Sequence, residues 1–132
     1  MRGLTDSNLN KLWRSAVLVK FGSRCFFCGR HINQTDLEVH HYIKRKNILT
    51  RYDWRNGFPV CKYPTEWKMS CHQFAETPNG RNRIVHHLLI YNFETYLQDR
   101  VMPFKQYLVE HGMTRNDFLK TRYDELKGIL NA

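Results

Sequence analysis

No stretch of the 132-residue chain is apolar for long enough to cross a bilayer, which takes a run of about 18 residues or more. The first residues, Met1-Arg2-Gly3-Leu4-Thr5-Asp6, have neither the apolar core nor the small-residue cleavage site of a secretory leader. The expectation is a cytoplasmic protein with no membrane partner, in a compartment where disulfides seldom persist. Internal repeats and low-complexity segments are also absent. Acidic residues are few: 12 Asp and Glu stand against 21 Lys and Arg, a formal net charge of +9. In so small a chain this excess points to a polyanionic partner, nucleic acid above all, because cations that neutralise phosphates release condensed counterions. The hydrophobic share of 42% and charged share of 25% are ordinary for a folded protein, and the length fits one domain, residues 1–132.

Apolar periodicity divides the chain into three regions. In the first, 6–22, Leu9, Leu12, Trp13, Ala16 and Val17 recur at helical spacing, which predicts a helix over Asn8 to Lys20 with Gly22 as its stop. The second, 23–80, holds all four cysteines and only short apolar runs. Leu37 to Tyr42 and Phe58 to Cys61 read as two short strands, separated by a basic stretch from Lys44 to Arg55. A short helix is expected to open near Cys71, and Pro78-Asn79-Gly80 reads as a turn that breaks the chain. The third region, 81–132, is helical. A pattern from Asn82 to Glu110 should be kinked or split by Pro103, which lacks an N–H and clashes with the preceding turn. Thr114 and Asp117 then resemble a capping box that opens a last helix carrying Phe118, Tyr123, Leu126, Ile129 and Leu130. The fold class expected is α+β: a small two-stranded centre flanked by an N-terminal helix and C-terminal helices.

The four cysteines need a reason to exist in a reducing compartment. Cys25-Phe26-Phe27-Cys28 is a CxxC knuckle followed by Gly29, which lets the backbone turn tightly around an ion, and Cys61 and Cys71 form a wider second pair. Four thiolates suit tetrahedral structural zinc. A redox CxxC with two buried cysteines is the alternative, but it calls for a βαβ context that is not seen. The nine-residue insert Lys62 to Ser70 must loop out between the second pair of ligands.

The chemistry lies between the cysteine pairs. Glu38-Val39-His40-His41-Tyr42 ends the first expected strand on adjacent histidines, 14 residues separate His41 from Asn56, and His72 follows the last cysteine. Neighbouring side chains on a regular strand face opposite ways, so both imidazoles meet one substrate only if the strand ends or turns there. This order of residues resembles the HNH (ββα-metal) endonuclease superfamily. The resemblance implies His40 as a metal ligand, His41 as general base, Asn56 orienting His41, and His72 as second ligand. Glu76, one helical turn beyond His72, would serve as a third ligand directly or through water. The implied cofactors are structural Zn²⁺ and catalytic Mg²⁺ or Mn²⁺.

Within that superfamily the run His41-Tyr42, then Leu49-Thr50-Arg51-Tyr52-Asp53-Trp54-Arg55-Asn56, is similar to the NinG/Rap-type phage recombination nucleases, which act on branched DNA. It departs from them in having His40-His41 for Gly-His and Cys71-His72 for Cys-Asn. Lys44, Arg45, Lys46, Arg51 and Arg55 are the expected phosphate contacts. Tyr42, Tyr52 and Trp54 are available to stack on bases or to pack around the zinc, packing being favoured for Trp54. His31, His86, His87 and His111 read as surface or core filler. The expected function is hydrolysis of phosphodiester bonds in branched or recombination-intermediate DNA. The alternatives are a nicking, homing or packaging nuclease on duplex DNA, or a non-catalytic zinc-ribbon DNA-binding module. Apolar faces on the C-terminal helices would suit a homodimer.

Overall fold

The computed structural model describes residues 4–31, 33–64 and 69–132. Helix α1 (Asp6–Lys20) starts where the Thr5 hydroxyl accepts the Asn8 N–H at 3.2 Å, with Asp6 in its first turn and Lys20 in its last, both favourable to the helix dipole. Strands β1 (Leu37–His41) and β2 (Gly57–Cys61) form a two-stranded antiparallel sheet in which His41 faces Gly57 and Leu37 faces Cys61. Two such short strands are marginal alone and need cover. Here α1 packs on one face and α3 (Cys71–Ala75) on the other, so every residue of β2 is buried. Pro59 fits inside this strand because its carbonyl points away from β1, accepting the Phe26 N–H at 2.7 Å; its missing N–H therefore falls on the outer edge, where no ladder bond is lost.

The basic stretch between the strands is more structured than expected. It contains the one-turn helix α2 (Ile48–Arg51) and a 3₁₀ turn (Trp54–Asn56), capped by the Asp53 side chain. Asp53 is fully buried, where a lone carboxylate would be costly. It lies 3.0 Å from the Arg55 guanidinium and 3.3 Å from that of Arg122, on the last helix, while the Trp13 indole N–H donates to its backbone carbonyl at 2.7 Å. The stretch between the strands is thus bolted to both terminal helices.

Two boundaries differ from the sequence reading. Pro78-Asn79-Gly80 is not a turn but the start of α4 (Pro78–Ile90): Thr77 caps the Gly80 N–H, and proline is at home in a first turn whose N–H groups have no helical partner. The helical pattern over 82–110 is split at Pro103, as expected, and is broken once more after Ile90. After α4 the chain turns through Asn92 (φ 61°) into α5 (Glu94–Gln98), and Pro103 then caps α6 (Phe104–His111). The two short strands hold, at 37–41 and 57–61. So does the Thr114–Asp117 capping box, which opens α7 (Arg115–Leu130), and α7 packs along α1 around Leu9, Trp13, Leu119 and Leu126. The architecture is α+β, with seven helices and one two-stranded sheet among the described residues. Tyr52 is buried in the α1–α7 core, and Trp54 packs at its margin rather than around the cysteines.

Gly57 marks the tightest contact between sheet and helix: a Cβ there would stand 2.5 Å from Val17 Cγ2 and 2.8 Å from Trp13 Cζ2. Both neighbours belong to a close-packed core, so Gly57→Ala is expected to lower unfolding free energy by about 1–3 kcal/mol. Urea denaturation giving a loss under about 0.5 kcal/mol would show that α1 does not press on the sheet as described.

Candidate functional site

The four cysteines arrive from different elements. Cys25 and Cys28 flank the tight turn after α1, where Gly29 takes φ 72° and its N–H returns to the Cys25 carbonyl at 3.0 Å. Cys61 ends β2, and Cys71 opens α3 behind the Ser70–Gln73 capping box. Their sulfur atoms all lie within 4.8 Å of one another, with Cys28 and Cys61 at 3.4 Å, and none is in a disulfide. Sulfur atoms bound to one tetrahedral zinc at about 2.3 Å stand about 3.8 Å apart, so the group could hold a metal such as zinc. Leu18, Leu37 and Val60 close around it. Part of the insert between Cys61 and Cys71, residues 65–68, lies outside the described residues.

Burial pushes the thiols of Cys61 and Cys71 up to about 11 and about 12, helped by the neighbouring thiols. Burial also raises Cys28, but the backbone and side chain of Arg30, then Cys61 and Cys25, overcome this and bring it down to about 6. The cluster therefore does not carry several negative charges on its own account; a bound cation would draw the protons off.

At the other end of β1 from Cys61, the two histidines separate. β1 is regular through His41 and ends there, so the two imidazoles point to opposite faces at the last two positions of the strand. His40 faces α3. It is 7% exposed, its ring centroid is 6.1 Å from that of His72, and its Nδ1 lies 3.6 Å from Glu76, which also takes the Lys44 ammonium at 3.2 and 3.3 Å. His72 and Glu76 are exposed. These donors are neighbours, yet among the described residues the four thiols are the group drawn within 4.8 Å. Burial is the main cause that lowers His40 to about 4; Glu76 opposes it, and Lys44, His72 and His41 add to it.

His41 faces α1. Its ring lies flat on Trp13, with centroids 3.9 Å apart and planes 11° off parallel, and its Nε2 is 2.9 Å from the Arg51 carbonyl. A carbonyl only accepts, so Nε2 carries the hydrogen and Nδ1 keeps the lone pair. Burial lowers His41 to about 4; the Arg51 carbonyl opposes this, while the charges of Arg45 and Arg51 add to it. Asn56, expected to orient His41, does not touch its ring. The fully buried Asn56 amide clasps the loop backbone, accepting from Ile43 N–H at 2.7 Å and donating to the carbonyls of Ile43 and Thr50 at 3.0 and 3.1 Å. It reaches His41 only indirectly, by fixing the loop that carries Arg51.

The five expected phosphate contacts are not equivalent. Lys46 is exposed, Lys44 pairs with Glu76, and Arg45 pairs with Asp6, which also takes the Tyr52 hydroxyl. Arg51 donates to the Arg45 carbonyl at 2.7 Å and lies 3.8 Å from Asp6. Arg55 is committed inward to Asp53 and Glu125. Three partners were missed by sequence reasoning. Trp13 was placed on the apolar face of α1 with nothing to mark it as a histidine's stacking partner, the Arg51 carbonyl has no side-chain signature, and the Lys44–Glu76 pair spans 32 residues. Among the described residues, no helix is long and apolar enough to cross a membrane. Compared with protein-family models, curated proteins and solved structures, the chain matches none.

Because Cys61 and Cys71 hold their protons at neutral pH, zinc binding at pH 7 should release at least two protons per ion, and affinity should fall steeply as pH drops. Zinc titration in a weakly buffered indicator solution checks this; binding without proton release would mean the thiols are not the ligands.

Proposed function

We propose that this chain is a metal-dependent DNA endonuclease of the HNH (ββα-metal) type. Its substrate class is branched or recombination-intermediate DNA, as its likeness to the NinG/Rap-type phage nucleases suggests. The observation that carries the reading is the end of β1, held on a cysteine-stapled ββα unit. There, one imidazole stands beside His72 and Glu76, and the next is locked by a carbonyl and an indole with Nδ1 left free. Both border the end of the sheet from which the basic loop departs, so a phosphate lying across that end would meet His40 on one side and His41 on the other.

His40 and His72, with Glu76 turned from Lys44, would hold a divalent ion; two imidazoles and a carboxylate suit Mn²⁺ at least as well as Mg²⁺. When bound, such an ion polarises a phosphate oxygen and offsets developing charge. The chain's own residues do the rest. His41, neutral at pH 7, accepts a proton at Nδ1 from the attacking water, and its Nε2–H stays on the Arg51 carbonyl, so the ring cannot flip away. Arg45, Lys46 and Arg51 attract the backbone phosphates. Asn56 holds the loop's shape.

A second reading is a non-catalytic zinc-bearing DNA-binding module, favoured by the thiols being the most closely gathered metal donors. Plasmid nicking in Mn²⁺ decides between them. The nuclease reading predicts that His41→Ala loses roughly a hundredfold or more in rate with zinc content unchanged. Undiminished nicking by His41→Ala, or none by wild type in any divalent ion, would discard it.

The pH profile gives an independent check. A base held at about 4 stays unprotonated well below the ordinary histidine range, so the acid limb of kcat/KM should fall below pH 6.5 rather than at it. A limb at or above 6.5 would mean that a group other than His41 sets it.

A further inference from the structure

Between the end of α1, the 3₁₀ turn and the α4–α5 corner lies a cavity of about 290 Å³ lined by Lys20, Phe21, Trp54, His87, Tyr91 and Phe93. A second groove of about 510 Å³ shares His87 and Tyr91 with it and adds Arg83. Neither includes a thiol, His40, His41, His72 or Glu76, and no acidic residue lines either one. Tyr91 is 57% exposed and Ile90 60%, an unusual outlay of large apolar surface. The rings are ordered. Tyr91 and Phe93 lie within 25° of parallel at 6.0 Å, Phe93 meets Trp54 edge-on at 5.4 Å, and the Lys20 ammonium sits 4.5 Å from the Trp54 ring. Arg55 backs this wall, 4.9 Å from Trp54 and 5.7 Å from Phe93.

We propose that this aromatic groove binds unpaired nucleobases of single-stranded DNA. The ligand it fits is flat, with π faces, and tethered to an anion: the exposed Tyr91 ring offers a face for stacking, and Lys20 and Arg83 line the two grooves as cations. Bases inside a duplex have both faces covered by their neighbours, so only unpaired ones can enter. The groove rests on the DNA reading above and deepens it, because it supplies a reason for preferring branched DNA, which exposes single-stranded segments, over linear duplex. The absence of acidic residues from the rim argues for a polyanion over a second copy of this chain.

The test uses the zinc-loaded protein with labelled oligothymidylate and with a blunt duplex, in buffer without added Mg²⁺ or Mn²⁺. Tyr91→Ala and Lys20→Ala, both at exposed side chains, should each weaken oligothymidylate binding about tenfold and change blunt-duplex binding less than about twofold. Unchanged oligothymidylate affinity in both variants would overturn the groove. So would concentration-dependent self-association that Tyr91→Ala abolishes without altering DNA affinity, since the surface would then be a contact between copies. Cleavage by wild type is scored separately, on branched and plasmid DNA in Mn²⁺: Tyr91-dependent binding without any cleavage would sink the endonuclease reading and keep the groove.

Discussion

Four thiols drawn to one point organise everything near the sheet. Each strand has five residues, too short a pairing to persist in water by itself. Cys25 and Cys28 enter before β1, Cys61 ends β2, and Cys71 opens α3, so a shared ion would tie the knuckle, the hairpin and the helix at one place. Such an ion contributes folding free energy outright, because no preformed site exists in the unfolded chain. The helices then cover what the staple holds: α1 lies over the face of His41 and Gly57, and α3 and α4 over the face of His40 and Phe58.

That sandwich fixes the two histidines more rigidly than a surface pair would be. Each packs against a different layer, each is kept neutral chiefly by burial, and each touches a different group. The loop between the strands is no freer. Asn56 clasps it from within, and Arg122 and Trp13 hold it at Asp53 from the terminal helices. Its cations thus emerge from a braced segment, and three of them, Lys44, Arg45 and Arg51, are paired with or next to Glu76 or Asp6, carboxylates that a phosphate would have to replace.

Much of this was legible in the sequence because it depends on local pattern. The apolar stripe from Leu9 to Val17 announced α1, the CxxC knuckle announced the thiol cluster, and Thr114 with Asp117 announced α7, since each is a periodicity or spacing read within a few residues. Pro78-Asn79-Gly80 misled because the same residues suit a turn and the first turn of a helix; Thr77, one residue earlier, decided it by capping. The roles around His41 were not legible. A backbone carbonyl ten residues away and an indole on a different helix orient the ring, and neither leaves a mark in the order of side chains. Asn56 stands out in the sequence, but its partners are backbone atoms of Ile43 and Thr50, which no spacing rule would choose over His41.

The most direct test of the sulfur staple is X-ray absorption at the zinc edge of the purified protein. Four sulfur scatterers at about 2.3 Å, with no imidazole contribution, are the result this account predicts. A first shell containing histidine nitrogen, or a fully folded protein without metal, would contradict it.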